Sequence, residues 1–116
     1  MKLLTKPDLE RLARNGRNAA ADPDYDPAPV VKLFTPDAGA TWLLAWTEPG
    51  DSDLAFGLCD LGLGSPELGS VRLSEIRAVR GRLGLPVERD RHWRANGTVG
   101  AYADASRRAG RVVDRL

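Results

Sequence analysis

Three apolar segments of strand length lie in the middle of the chain, separated only by short turns. They cover residues 30–35, 41–47 and 54–61 and are rich in β-branched and aromatic side chains. Turn-forming residues fill the gaps at 36–39 and 48–51. Because connections this short cannot hold a crossover helix, the sequence predicts that neighbouring strands pair antiparallel, as a meander.

Capping residues mark three helices around the predicted sheet. Thr5 precedes a helical pattern over residues 7–20, Ser74 precedes a short one over residues 75–82, and Thr98 precedes the last one. The side chains expected to face the core are Leu9 and Leu12 in the first helix, Ile76, Val79 and Leu83 in the second, and Val99, Tyr102, Ala103, Ser106, Ala109, Val113 and Leu116 in the third.

Two further strands and a connector complete the expected fold. A short strand is predicted at residues 70–73 and an edge strand at 87–93, while the prolines and aspartates of residues 22–29 exclude a helix there. The length of 116 residues, 42% of them hydrophobic, suits one domain. The sequence therefore predicts a single α+β domain over residues 1–116. Its antiparallel meander sheet of four to five strands packs with an N-terminal helix, a short middle helix and a C-terminal helix.

Composition excludes several kinds of site. One cysteine, Cys59, and one histidine, His92, cannot form a Cys/His zinc centre or an intrachain disulfide. No apolar run approaches the roughly 18 residues of a membrane span, and the start has no signal-peptide stretch. We therefore expect a cytoplasmic protein with no metal, no cofactor and no membrane association.

Charges are distributed unevenly along the chain. Residues 1–60 carry 6 basic and 10 acidic side chains, whereas residues 61–116 carry 11 basic and 6 acidic ones, and all of those 11 are arginines. Arginine suits phosphate and carboxylate recognition because its planar fork donates two parallel hydrogen bonds. Two explanations stay open: a GC-rich genome, which favours arginine codons, and a selected anion-binding surface.

Both faces of the second and third strands are apolar, unlike a sheet with one side in solvent. In a regular strand, Trp42, Leu44 and Trp46 share one face. Since three helices can hardly cover both faces of a sheet in so short a chain, we expect part of the aromatic face, centred on Trp42 or Trp46, to be a binding surface. In the alternative, the connector and the helices close over it.

A glycine-rich loop at residues 60–69 follows the third strand. It differs from a dinucleotide-binding loop because Glu67 replaces the third glycine and no helix begins at once, so a tight connection between strands is the better interpretation. Asp60 and Glu67, joined at a sheet edge by Asp90 or His92, would form an acid/base or divalent-cation site. Spacing alone does not bring these side chains together.

Arginines alternate with other residues around Trp93. Arg89 and its neighbours in residues 87–94 could clamp a nucleic acid while the aromatic ring stacks on it. Glu88 and Asp90 dilute the positive charge, so an internally paired edge strand is the other interpretation.

A family resemblance rests on residues 1–5, 29–38, 40–44, 55–64, 66–69, 80–81 and 83–90. These blocks resemble a family of small bacterial proteins, domain-of-unknown-function family 2958, often encoded on plasmids and other mobile elements. The resemblance implies no catalytic residues, and it implies a role such as a mobile-element accessory or counter-defence factor. The chain departs from the family pattern at Trp46, Ser65 and Ser70.

Three functions follow from these features. The first is a non-catalytic protein-interaction module with a protein partner. The alternative is a nucleic-acid-binding accessory protein that uses the C-terminal arginines. The third is a small enzyme built on Asp60, Glu67 and Asp90.

Overall fold

Three helices and five strands form the fold that a computed structural model describes for residues 2–116. All strand pairs are antiparallel and lie in the order β4-β3-β2-β1-β5, so the predicted α+β meander is confirmed. None of the helices in this part of the chain has the length and hydropathy needed to cross a membrane. The elements are α1 (Lys6–Ala21), β1 (Val31–Phe34), β2 (Thr41–Glu48), β3 (Asp51–Asp60), β4 (Glu67–Arg72), α2 (Leu73–Ala78), β5 (Glu88–Arg89) and α3 (Val99–Ala109).

The position of β5 makes the two sheet edges different. Only Glu88–Arg89 of the edge strand expected at 87–93 is a strand, and it pairs with β1 through Leu33 and Phe34. The strand ends there because the backbone turns at residues 91–92. β5 and β4 therefore lie at opposite edges of the sheet.

Helix α1 begins at the predicted cap and packs directly on β2. The Thr5 hydroxyl accepts from the backbone N–H of Asp8, whose carboxylate accepts from the Thr5 N–H in return. Gly16, which could have ended the helix, instead lies buried in its middle. A Cβ at this position would lie 1.7 Å from the carbonyl oxygen of Thr47, so only glycine permits this approach of helix and strand.

A β-bulge in β2 moves Trp46 to the other face of the sheet. The register pairs Leu44 with Gly57 but Trp46 with Phe56, so Ala45 is the extra residue. The Asn15 amide donates to the carbonyl oxygen of Ala45 at 3.0 Å. The expectation that Trp42 and Trp46 share a face is therefore wrong, because it assumed regular alternation.

Both faces of the sheet are covered. On the α1 face, Trp42 is 2% exposed and packs in one cluster with residues that include Leu12 of α1 and Ile76 of α2. On the α3 face, Tyr102 and neighbouring residues of α3 cover Leu43 and other strand side chains. The premise of an uncovered Trp42 is wrong, because α1 and α2 together close its face.

The C-terminal tail extends the cover of the α3 face. The Lys32 ammonium donates to the Asp114 carboxylate at 2.6 Å, which lowers the pKa of Asp114 below its ordinary value. The Trp93 indole N–H donates to the backbone carbonyl of Asp114 at the same distance. These bonds hold residues after α3 against β1.

Helix α2 ends earlier than its sequence pattern predicts. It covers Leu73–Ala78 instead of residues 75–82, and Ser74 does not cap it, since its hydroxyl donates to Asp53. Ile76 is buried as expected, but Leu83 is 81% exposed in the following loop. The Asp37 carboxylate holds that loop by accepting from the backbone N–H groups of Leu83 and Leu85 at 2.7 and 3.2 Å.

The remaining core predictions for the helices are mixed. Leu12, Val99, Tyr102, Ala103 and Ser106 are buried as expected. The last three positions assigned to α3 are not on its buried face, because the helix ends at Ala109, before Val113 and Leu116, and Ala109 itself is exposed. Leu9 is also exposed.

Replacement of Gly16 by alanine tests the contact between α1 and β2. An exposed helical Gly→Ala change normally stabilises by about 1 kcal/mol. Here we expect a loss of about 2 kcal/mol in the free energy of unfolding, because α1 must move away from Thr47. Urea unfolding measures the change. Gly69→Ala is the control, since a Cβ there meets nothing within 4 Å; equal stability changes in both variants would contradict the argument.

Candidate interaction surface

The glycine-rich loop after β3 is shaped by Asp60. One carboxylate oxygen of Asp60 accepts from the backbone N–H groups of Gly62 and Leu63 at 3.0 and 3.2 Å. Gly62 has a φ of 87°, which favours glycine. The carboxylate therefore occupies the loop N–H groups that a phosphate would need, and the predicted tight connection fits this geometry.

The loop places two large apolar side chains in solvent. Leu61 is 65% exposed and Leu63 is 82% exposed. A Cβ on Gly62, between them, would lie 3.2 Å from the Cα of Gly39, so the loop rests on the turn between β1 and β2. The loop therefore presents an exposed apolar pair beside β4.

A groove of about 350 Å³ lies between these leucines and β4. Trp42 lies at its bottom and Cys59 lines it on the same face of the sheet. Glu67, which pairs with Cys59 across the strands, and Val71 form the side nearer the edge. We name the groove together with Leu61, Leu63 and β4 the edge groove.

Strand β4 leaves one side of its backbone without a partner. Within residues 2–116 it pairs only with β3, and it takes part in no backbone hydrogen bond outside the sheet. Its six residues pair with β3 without a register shift, and the four between Glu67 and Arg72 carry no charge. Charges, prolines or bulges usually protect edge strands, and here Pro66 and Glu67 at one end and Arg72 at the other leave the middle of β4 unprotected. This edge can therefore accept another strand.

Three of the predicted site residues line the edge groove: Trp42, Asp60 and Glu67. Asp60 and Glu67 do not converge, because the cross-strand partner of Glu67 is Cys59, whose neighbour Asp60 points to the other face. Asp90 follows β5 at the opposite edge. Four interstrand spacings separate β4 from β5, about 19 Å in all.

The other predicted residues lie outside the edge groove. Trp46 stacks on Phe56 at 4.4 Å between ring centroids, on the α3 face. Arg89 is tied to Asp8 at 3.6 Å and to the carbonyl of Leu3. His92 is exposed, and its backbone N–H donates to Asp90. In the described residues 2–116, no group of three acidic, histidine or cysteine side chains could hold a metal ion.

Sequence reasoning missed Leu61, Leu63 and the open side of β4. The sequence did contain a signal for Leu63, which lies between Gly62 and Gly64. A leucine in a glycine-rich loop has few neighbouring side chains to pack against and is therefore expected to be exposed. The edge position of β4 had no local signal. β4 forms an edge because β5 joins the sheet beside β1, at the opposite edge.

The thiol of Cys59 should be unreactive. Burial raises its pKa to about 11. At about pH 7.5 the thiolate fraction is then on the order of 100-fold below that of a free cysteine. We expect iodoacetamide alkylation, followed by mass spectrometry, to be slower by that factor than in concentrated urea. Equal alkylation rates in buffer and in urea would contradict the expectation that the Cys59 thiol is unreactive.

Comparison with known proteins gives a family but no function. No curated protein and no solved structure matches the chain. The family model described as "Protein of unknown function (DUF2958)" matches residues 3–113 of the 116. The family resemblance found in the sequence is confirmed: the chain belongs to the DUF2958 family.

Proposed function

We propose that the protein is a non-catalytic interaction module that binds an extended segment of a partner protein along β4. The observation that carries this proposal is the open side of β4 beside the edge groove. In binding by strand addition, main-chain hydrogen bonds provide affinity, and pockets for alternate side chains provide specificity. The groove is the pocket, and Leu61 and Leu63 extend its apolar wall.

The charges around β4 indicate what the segment contains. Arg72 is already paired, at 3.2 Å from Asp51 and 3.7 Å from Asp53. Glu67 is exposed and forms no ion pair with any other described residue of the chain. The partner segment therefore carries an apolar side chain for the groove and a basic side chain near Glu67.

A second copy of this chain fits the edge less well. Residues directly opposite in an antiparallel pair share a face, so a two-fold pairing centred on Gly69 places Gly69 against Gly69 and Glu67 against Val71. A pairing centred on Ser70 places Arg72 against Leu68. Neither arrangement pairs opposite charges, so a different protein is the better occupant.

Binding also explains the site better than catalysis does. The carboxylates of Asp60 and Glu67 lie on opposite faces, and Asp90 lies at the other edge. The Asp60 carboxylate is used by its own loop. As the family resemblance suggests, we propose that the module serves a mobile element as an accessory or counter-defence factor, acting through its partner.

A peptide selection tests the proposal with a matched pair of variants. Phage-displayed random peptides of about 12 residues are selected on the intact chain, and the best binders are synthesised. We expect Leu63→Asp to weaken their binding by roughly tenfold or more, because it places a charge beside the apolar groove. Fluorescence polarisation measures the dissociation constants.

Leu83→Asp is the control for this test. Leu83 is 81% exposed, as Leu63 is 82% exposed, but Leu83 does not line the groove. We expect it to leave affinity within about twofold. Bound peptide should also slow hydrogen exchange of outward amides in β4. Equal losses in both variants, or no protection in β4, would refute the proposal.

A further inference from the structure

A second concave site lies at the opposite edge of the sheet from the edge groove. It is a pocket of about 380 Å³ between the start of α1 and the segment that follows β5. Four arginines line it, Arg11, Arg89, Arg91 and Arg94, together with Trp93. We name it the arginine pocket. None of its residues lines the edge groove.

Both aspartates that line the arginine pocket form ion pairs. The Asp8 carboxylate accepts from the Thr5 N–H at 3.1 Å and pairs with Arg89 at 3.6 Å. The Asp90 carboxylate pairs with Lys32 at 3.7 Å. Glu88, the other acid of this segment, does not line the pocket. Lys32 is bound more closely by Asp114, at 2.6 Å, so Asp90 keeps part of its charge. Four arginines against two aspartates nevertheless leave the lining of the pocket net positive.

Three guanidinium groups remain without a carboxylate partner. Arg11, Arg91 and Arg94 form no ion pair among the residues from 2 to 116. Arg94 is held in place because it donates to the carbonyls of Arg91 and Trp93 at 3.3 and 2.9 Å. A fixed guanidinium with two unpaired neighbours favours an anionic group that accepts several hydrogen bonds, as phosphate does.

The aromatic wall of the pocket is also fixed. The Trp93 indole N–H donates to the Asp114 carbonyl at 2.6 Å, and its ring lies 5.9 Å from that of Tyr102 between centroids. An immobilised tryptophan beside arginines provides a stacking surface for a base at little cost in side-chain entropy.

We infer that the arginine pocket binds one nucleotide unit of a single-stranded nucleic acid, with phosphate on Arg11, Arg91 and Arg94 and a base against Trp93. The pocket volume is at the lower end of the range for small-ligand sites, which suits a single nucleotide. Duplex bases are paired and stacked inside the helix and cannot reach Trp93 without being flipped out. The site is therefore selective for single strands.

Fluorescence anisotropy with a labelled oligothymidylate of about 12 nucleotides tests the inference. We expect the double variant Arg11→Ala, Arg91→Ala to weaken binding by roughly tenfold or more and to reduce the salt slope of log K by at most about 0.7, because the pocket holds one phosphate. Neither side chain makes a hydrogen bond within residues 2–116, so the variant should fold normally. Circular dichroism checks that it does.

The control double variant is Arg108→Ala, Arg111→Ala. It removes the same charge from exposed positions at the end of α3, where neither side chain is paired or lines the pocket. We expect its affinity to stay within about twofold of the unchanged protein. Equal weakening by both double variants would show general charge attraction and overturn the inference.

Two further measurements test the inference independently: the affinity for single-stranded against duplex DNA, and the fluorescence of Trp93. We expect the oligothymidylate to bind at least roughly tenfold more tightly than a duplex of equal length. We also expect it to quench the tryptophan fluorescence of the unchanged protein, and this quenching to be lost in Trp93→Phe. Equal affinity for duplex would overturn the inference, as would unchanged quenching in Trp93→Phe. Leu63→Asp should not change oligonucleotide affinity, so failure here is distinguishable from failure of the peptide-binding proposal.

Discussion

The close contact of α1 with β2 organises the structure. Gly16 lets the helix approach until its backbone meets the carbonyl of Thr47, and a side chain there would separate the two elements. The preceding residue, Asn15, donates to the carbonyl of Ala45, the extra residue of the bulge. Because of the bulge, Trp46 lies on the α3 face, whereas Trp42, which precedes it, lies on the α1 face. The close contact of α1 and the bulge that separates the two tryptophans onto different layers therefore lie side by side on β2.

Covered faces leave the edges of the sheet as the places where other molecules can bind. Helices α1 and α2 close one face, and α3 with the C-terminal tail closes the other. The two edges then differ in chemistry. β4 is uncharged in its middle and lies beside exposed leucines, whereas β5 is short and followed by arginines. A neutral, regular edge favours another strand, and a charged, concave one favours an anion.

The sequence predicted the helices and strands better than it predicted the contacts between them. Thr5 and Thr98 cap the first and last helices as expected, because caps and turns act over a few residues. The sequence predicted too long a middle helix, because the apolar spacing placed Leu83 on its inner face. In the structure the Asp37 carboxylate holds the backbone of Leu83 in a loop after the helix. That contact joins residues 46 positions apart. The other predicted site residues were likewise divided between two edges once the fourth and fifth strands were placed, while Trp46 lies in the middle of the sheet.

Local patterns alone determined an antiparallel meander with three helices, of which the first and last are capped as predicted, because short turns and hydrogen bonds between near neighbours leave few alternatives. Composition alone excluded a Cys/His zinc centre and an intrachain disulfide. Tertiary structure decided which strands form the edges, which face Trp46 occupies, and which arginines keep no partner. Those properties depend on contacts between residues far apart in the chain, such as Lys32 with Asp114 and Arg89 with Asp8, and no local periodicity encodes such contacts.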